Sequence, residues 1–432
     1  MFRGCDRRGM VEVRRGLRTS GLVSSVRVRW PRLVSLACLA AWLGVPFIGL
    51  SACQPRTDRR VVITVGSSWG GQAAVALHRE LLRIADGLGA ATIQVRSFSL
   101  AGLAEYLDRS QVSRGEARLD LVIVPNDWLG QLAERGVIGE LPQPRVEVLQ
   151  DTLVRQALLA VSDRDKVLAY PASADVLALV YDPERFPSPP RTLDDIMHAR
   201  LPSGTLPFAL DLSSPYQLAP FVTSYQGSLL DRSGNLIWQD DVLVKVLRRF
   251  APLWQEDSAW RTFAGGDLDS LQLQLFAEGR LASFPTGPWM LQALEECGRP
   301  FAVTPVPAFA DAPHPARALV GYQCVAVLKD SPWVDLALEI GARLVQPESN
   351  ERLNRASRRL PVLLSAYKTE AAMASPGTVG FLRAVEQGQF FPAAAQWGEG
   401  FQQAGRRLLT LSHRTLPPSP AQVEDLISRG RP

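Results

Sequence analysis

From Val61 onward the chain alternates two patterns, and that alternation limits its fold more than any other feature. Short runs rich in β-branched residues, VVITV at 61–65, TIQVRSF at 92–98 and LDLVIVP at 119–125, read as strands. Between them lie segments with apolar residues three and four positions apart, such as Ala74, Leu77, Leu81, Ile84, Ala85 and Leu88, which read as amphipathic helices. Ser99 is expected to cap the helix beginning at Leu100, and Asn126 the short helix carrying Leu129, Leu132 and Ala133 before Gly136. Strands alternating with helices predict an open, mostly parallel α/β sheet. Further strands are expected at 176–182, 207–212, 281–284 and 318–328, and helices near 216–226, 241–254 and 268–278. Gly287-Pro288-Trp289 opens another helix, and Ser331-Pro332 starts one with serine as cap and proline in the first turn.

The first fifty residues are an address. Arg27, Arg29 and Arg32 precede an uncharged run from Leu33 to Ala52 that is apolar in its middle and ends in small residues. A positive flank, an apolar stretch and a small-residue end are the parts of a secretory signal. Leu50-Ser51-Ala52-Cys53 resembles a bacterial lipobox, which implies cleavage before Cys53 and a lipid on its sulfur. Residues 1–52 then form a lipoprotein signal peptide and 53–60 a lipidated tether. The run is also about long enough to remain as an uncleaved anchor.

Charge weakens a nucleic-acid reading. The 432 residues carry a net charge of +4, but 1–52 hold nine of the 47 basic residues and only two acids, so the remainder has 38 basic against 41 acidic residues. No GxxxxGK[ST] loop, HExxH pair or GxSxG elbow is present, and the histidines His78, His198, His314 and His413 are far apart. No metal site and no cofactor are expected, and binding is favoured over catalysis. Of the five cysteines only Cys297 and Cys324 remain for the exported domain. They either form a disulfide or, as the apolar run around Cys324 allows, stay as small buried hydrophobes.

Five ordered segments resemble the solute-binding proteins of bacterial ATP-binding-cassette importers, in the carbohydrate-binding group that includes maltose-binding protein. They are DLVIVPNDWLGQLAERGVIGELP at 120–142, YPASADVLALVYDPERFPSPPRTLDDI at 170–196, FAEGRLASFPTGPWML at 276–291, LVGYQCVAVLKDSPWVDLALEIGARLV at 319–345 with LPV at 360–362, and GQFFPAAAQWGEGFQQAGRRLL at 388–409. The resemblance implies a two-lobed α/β fold, each lobe a mostly parallel sheet flanked by helices. Lobe one is expected at 61–173 and 325–356, lobe two at 176–322 and 360–432, with crossings near 172–176, 322–325 and 356–361. It also implies a monomer on the outer face of the cell membrane that closes around a small-molecule solute and passes it to a membrane permease.

A sugar site needs aromatic faces for stacking and planar polar groups for hydroxyls. In such sheets the site lies at the carboxyl ends of the strands. Trp69 lies in the first strand-to-helix loop. Asp127 follows strand 119–125 and matches the family's binding aspartate, with Trp128 beside it. Asp175 holds the position of a family acidic ligand at the first crossing, and Tyr322 lies at the second. Tyr216 matches a stacking aromatic, and Trp289 belongs to the Gly-Pro-Trp signature. Trp397 and Phe401 lie one turn apart on the last helix, one expected to meet the solute and the other to pack. Trp254, Trp260 and Trp333 read as packing residues. The family's maltodextrin binders carry an acid where Ser214 stands, a departure that puts the same sugar in doubt. Other readings stay open: the same fold binding glycerol phosphate or a polyamine, an exported glycosidase using Asp127 and Asp175 as an acid pair, or a structural lipoprotein that has lost transport.

Overall fold

The β-branched run after the tether forms strand β1 (Val61–Ser67), whose last five residues are buried. Helix Gly71–Leu88 follows, burying Ala76, Leu77, Glu80, Leu81, Ile84 and Ala85 along one face. It ends at Gly89, whose φ of 66° is a left-handed cap that glycine adopts without strain. Strand β2 (Ala91–Ser97) runs parallel to β1. Ser99 caps the next helix, Leu100–Arg109, its Oγ accepting from the Gly102 N–H at 3.0 Å. The computed structural model describes residues 61–89, 91–109, 118–212, 214–231, 235–250, 268–366 and 375–412, and Arg59–Pro432 forms one unit. The expected signal segment, Cys53, the tether, Trp254, Trp260 and His413 lie outside the described residues.

Strand β3 (Leu121–Pro125) is parallel to β1 and covered on both faces, as its unbroken apolar run requires. A small hairpin, β4 (Ser162–Asp163) and β5 (Lys166–Val167), leads to β6 (Tyr170–Val176), which continues almost directly into β7 (Ala178–Tyr181). Later come β8 (Ser283–Thr286), β9 (Ala302–Thr304), β10 (Leu319–Val327) and β11 (Gln389–Phe390). The first sheet has the order β11-β10-β3-β1-β2, with β6 paired to β10. Strands β6 and β10 are antiparallel, and Ala174 also bridges Leu360. The first expected crossing is thus hydrogen-bonded to each of the other two.

The structure departs from the sequence expectations at five places, the simplest being Trp333, which is exposed rather than packed. The second sheet, β8-β7-β9, is antiparallel among the described strands rather than mostly parallel. Strand β7 carries the chain away from the crossing, so neighbours that run back toward it must oppose it. Segment 207–212 is not a strand. Leu206, just before it, makes an isolated parallel bridge to Leu281, and Pro207 has no N–H with which to extend that pairing. Side chains satisfy its carbonyls instead: Ser283 Oγ donates to Pro207 O at 2.7 Å and Gln272 Nε2 to Ala209 O at 2.9 Å. Ser331 does not cap a helix; helix Val334–Leu344 starts later, and Ser331 Oγ donates to Asp120 at 2.6 Å. Asn126 opens a 3-10 turn, Asn126–Trp128, with its side chain committed elsewhere. Cys297 and Cys324 are both free thiols, and Cys324 is fully buried.

Candidate functional site

Asn126 explains how the turn after β3 is aimed. Its buried side chain accepts from the Tyr322 N–H at 2.9 Å and donates to the carbonyls of Ala160 and Phe391 at 3.2 Å each. The turn is therefore fastened to β10, and Asp127 and Trp128 are carried to the cleft with it. Helix Ala395–Ser412 packs against the same region. The approach is so close that a Cβ at Gly130 would lie 2.0 Å from the Ala393 carbonyl oxygen. This contact brings Trp397 and Phe401 in from the far end of the chain.

Together with the loop after β1 and the helix starts of the second lobe, these elements enclose a cleft of about 1280 Å³. All nine residues expected at the site line it: Trp69, Asp127, Trp128, Asp175, Tyr216, Trp289, Tyr322, Trp397 and Phe401. The seven aromatics among them fall into two groups. Trp69, Tyr322 and Trp397 are 3%, 1% and 1% exposed, with their faces in packing. Trp397 is stacked between Phe391 at 4.6 Å and Phe401 at 5.7 Å between ring centroids, and Tyr322 stacks on Phe390 at 6.3 Å. Trp128, Tyr216, Trp289 and Phe401 are half-buried and keep ring surface toward the cleft.

Two of the open aromatics, Trp289 and Tyr216, are held by polar handles. Gly287 precedes a 3-10 turn, Pro288–Met290, over which the Trp289 ring folds back; a Cβ at Gly287 would fall 1.9 Å from that ring. Trp289 Nε1 donates to Asp269 Oδ2 at 2.7 Å, and Thr286 Oγ1 donates to the other oxygen at 3.2 Å. Tyr216 lies in the first turn of helix Pro215–Gln226, and its hydroxyl donates to the Leu319 carbonyl at 3.2 Å. Burial, then the charges of Asp175 and Asp127, push its phenol well above the ordinary tyrosine range, so it stays a donor. Ser214, where the family carries an acid, accepts from the Gln217 N–H at 3.4 Å as the helix cap.

The two carboxylates differ. Asp127 makes no side-chain hydrogen bond to any described residue; burial between the lobes raises it to about 6, opposed by its own backbone N–H. Asp175 is fully engaged. It accepts from Arg359 Nη1 at 3.0 and 3.2 Å and from Gln323 Nε2 at 2.8 Å. Arg359, Gln323 and Asp269 also line the cleft, and the sequence reading missed all three. Arg359 had a signal: it stands directly before Leu360-Pro361-Val362, at a crossing already located. Asp269 had none, being one of the chain's 43 acidic residues with nothing in its local pattern to set it apart.

A family model described as bacterial extracellular solute-binding protein matches residues 90–378. The chain belongs to that family. This solute-binding protein is 21% identical over 293 residues to the maltotriose-binding protein of Pyrococcus abyssi, an alignment spanning 65% of the chain and 62% of that relative's length. It shares its fold with the maltose–maltodextrin-binding protein of Alicyclobacillus acidocaldarius, with a TM-score of 0.72 and 20% identity over 85% of this chain and 99% of that one. The maltotriose-binding protein of Thermus thermophilus, in its complex with maltotriose, superposes with a TM-score of 0.70 and 23% identity over 85% and 98% of the two chains. The fold of this solute-binding protein is thus two-lobed and α/β, with a cleft where the crossing strands meet.

Proposed function

We propose that this protein is a lipid-anchored receptor that captures a sugar or oligosaccharide between its lobes and delivers it to an ATP-binding-cassette permease. The observation that carries the reading is the pairing of half-open aromatic faces on Trp128, Tyr216, Trp289 and Phe401 with an unengaged carboxylate at Asp127 around one cleft. A sugar ring offers an apolar face to stack and hydroxyls to donate. The cleft volume of about 1280 Å³ exceeds the roughly 300–1,000 Å³ usual for small-molecule sites, which favours an oligosaccharide over a single ring. Maltotriose-binding relatives support the same class. The lipobox-like Leu50–Cys53 supports export and anchoring at Cys53.

Lobe one corresponds to 61–173 and 325–356 and lobe two to 176–322 and 360–432, closing about the crossings as a hinge. The protein binds as a monomer and performs no chemistry. An acid pair of Asp127 and Asp175 is disfavoured because Asp175 is tied to Arg359 and Gln323. Titration calorimetry of the purified protein with maltotriose, other oligosaccharides and polyols tests the reading. Saturable binding of a sugar, weakened about thirtyfold or more in Trp289→Ala, is expected. Sugar release from an oligosaccharide by the purified protein, or no sugar bound at all, would sink it.

A further inference from the structure

The resemblance implies that Asp175 touches the solute, and the first strand-to-helix loop that Trp69 does, yet the structure engages both with Arg359. Arg359 Nη1 donates to both Asp175 oxygens, and its guanidinium lies 4.2 Å from the centroid of the Trp69 ring. Trp69 is fixed in turn, its Nε1 donating to Gln323 Oε1 at 3.4 Å while Gln323 Nε2 donates to Asp175. The Arg359 side chain is 8% exposed, and neither its buried Nε nor its Nη2 bonds any described residue. Among the described residues it is the only Arg or Lys lining the cleft, which also holds Asp127 and Glu296. A buried guanidinium with unused donors in a cleft wall is a binding group waiting for an acceptor.

We propose that Arg359 is the solute-contacting donor on the cleft floor, that Asp175 and Trp69 position it, and that the Asp175 charge restricts the cleft to neutral polyols over anions. The carboxylate fixes one edge of the guanidinium and the indole supports its face. The two N–H groups of Nη2 lie in the plane so fixed, suited to neighbouring hydroxyl oxygens of a sugar, whereas Nε is buried from the cleft. The attached carboxylate cancels the positive charge, and Asp127 and Glu296 add negative charge nearby. A phosphate or carboxylate on the solute therefore meets repulsion, while a neutral hydroxyl pair does not. Without the Asp175 charge, the same arginine becomes an anion site. The proposal rests on the sugar reading for its maltotriose probe alone.

The test is titration calorimetry of wild-type protein, Asp175→Asn and Arg359→Lys with maltotriose, sn-glycerol 3-phosphate and inorganic phosphate. Arg359→Lys keeps the charge and loses the planar fork; maltotriose affinity is expected to fall tenfold or more, roughly. Asp175→Asn is expected to shift the affinity ratio of glycerol phosphate to maltotriose toward the anion by at least about tenfold. The double variant Asp175→Asn/Arg359→Gln carries neither charge and is expected to show no such shift. It also serves if the single asparagine variant fails to fold, since a shift toward the anion there would overturn the proposal. The proposal is equally overturned if Arg359→Lys binds maltotriose like the wild type, or if Asp175→Asn loses sugar with no gain for anions, which would make Asp175 the ligand. A wild type silent toward maltotriose removes the sugar reading alone, because the anion gain in Asp175→Asn is read on the same protein and still decides.

Discussion

The floor of the cleft and its rim use the same residue types to opposite ends. On the floor, Asp175 and Trp69 are buried and interlocked with Gln323 and Arg359. At the rim, Asp127 and Trp289 are half-buried; Trp289 is held by its indole N–H and by the close pass of Gly287, and the Asp127 side chain by no other described residue. A carboxylate or an indole is thus not a binding group by identity. It becomes one when its best donors, acceptors or faces remain unspent in the folded chain.

The largest effect separating the two regions should be on stability. Arg359→Ala leaves the Asp175 carboxylate buried with Gln323 as its remaining partner. Removing one member of a buried pair costs about 3–5 kcal/mol, far more than forming the pair gains. Chemical denaturation is expected to show a loss of that order in the ligand-free protein. A loss under about 1 kcal/mol, the scale of an exposed pair, would mean the floor is no more rigid than the rim.

At the rim the expected signature is reversed. Asp127 has its carboxyl raised from 3.8 to about 6 by burial. A raised carboxyl favours the folded state most below its ordinary value, and that contribution is lost as pH rises through about 6. Asp127→Asn should therefore raise the melting temperature of the free protein at pH 7.5, while weakening maltotriose about tenfold through loss of a charged acceptor. Wild-type affinity should fall as pH drops from 7.5 to 5, when the acceptor is protonated, and that slope should vanish in the variant. A melting temperature that falls in Asp127→Asn would give the residue a structural role like that of Asp175.

The rim was legible in the sequence and the floor was not. Asp127 and Trp289 follow strands directly and open helical turns, so local pattern alone puts them at the cleft. Asp175 was located at its crossing, but its engagement was invisible, since its partner lies 184 residues away. The same limit applies to the fold. The parallel strands β1, β2 and β3 follow from runs of β-branched residues joined by helices. The antiparallel second sheet depends on β7 entering from the crossing, which no run of residues states. A cap reading of Asn126 and Ser331 sees only neighbours in sequence; the bond to Tyr322 commits Asn126, while Ser331 accepts from the Trp333 N–H and donates to Asp120 ahead of a helix that starts only at Val334.

The smallest effect gives the finest test. Trp69→Phe keeps an aromatic face beneath the Arg359 guanidinium and removes only the indole N–H bond to Gln323, which at 3.4 Å is long. A net hydrogen bond contributes about 0.5–1.5 kcal/mol, and this one belongs at the lower end. The stacked cation loses a few tenths more, because phenyl is a weaker partner than indole. The variant should therefore unfold at slightly lower denaturant, and maltotriose affinity should drop by a few-fold at most. If, as proposed, Trp69 acts by supporting the guanidinium, its effect on binding passes only through the placement of Arg359. If the affinity instead falls as far as in Trp289→Ala, Trp69 is itself a stacking platform and the floor belongs with the rim.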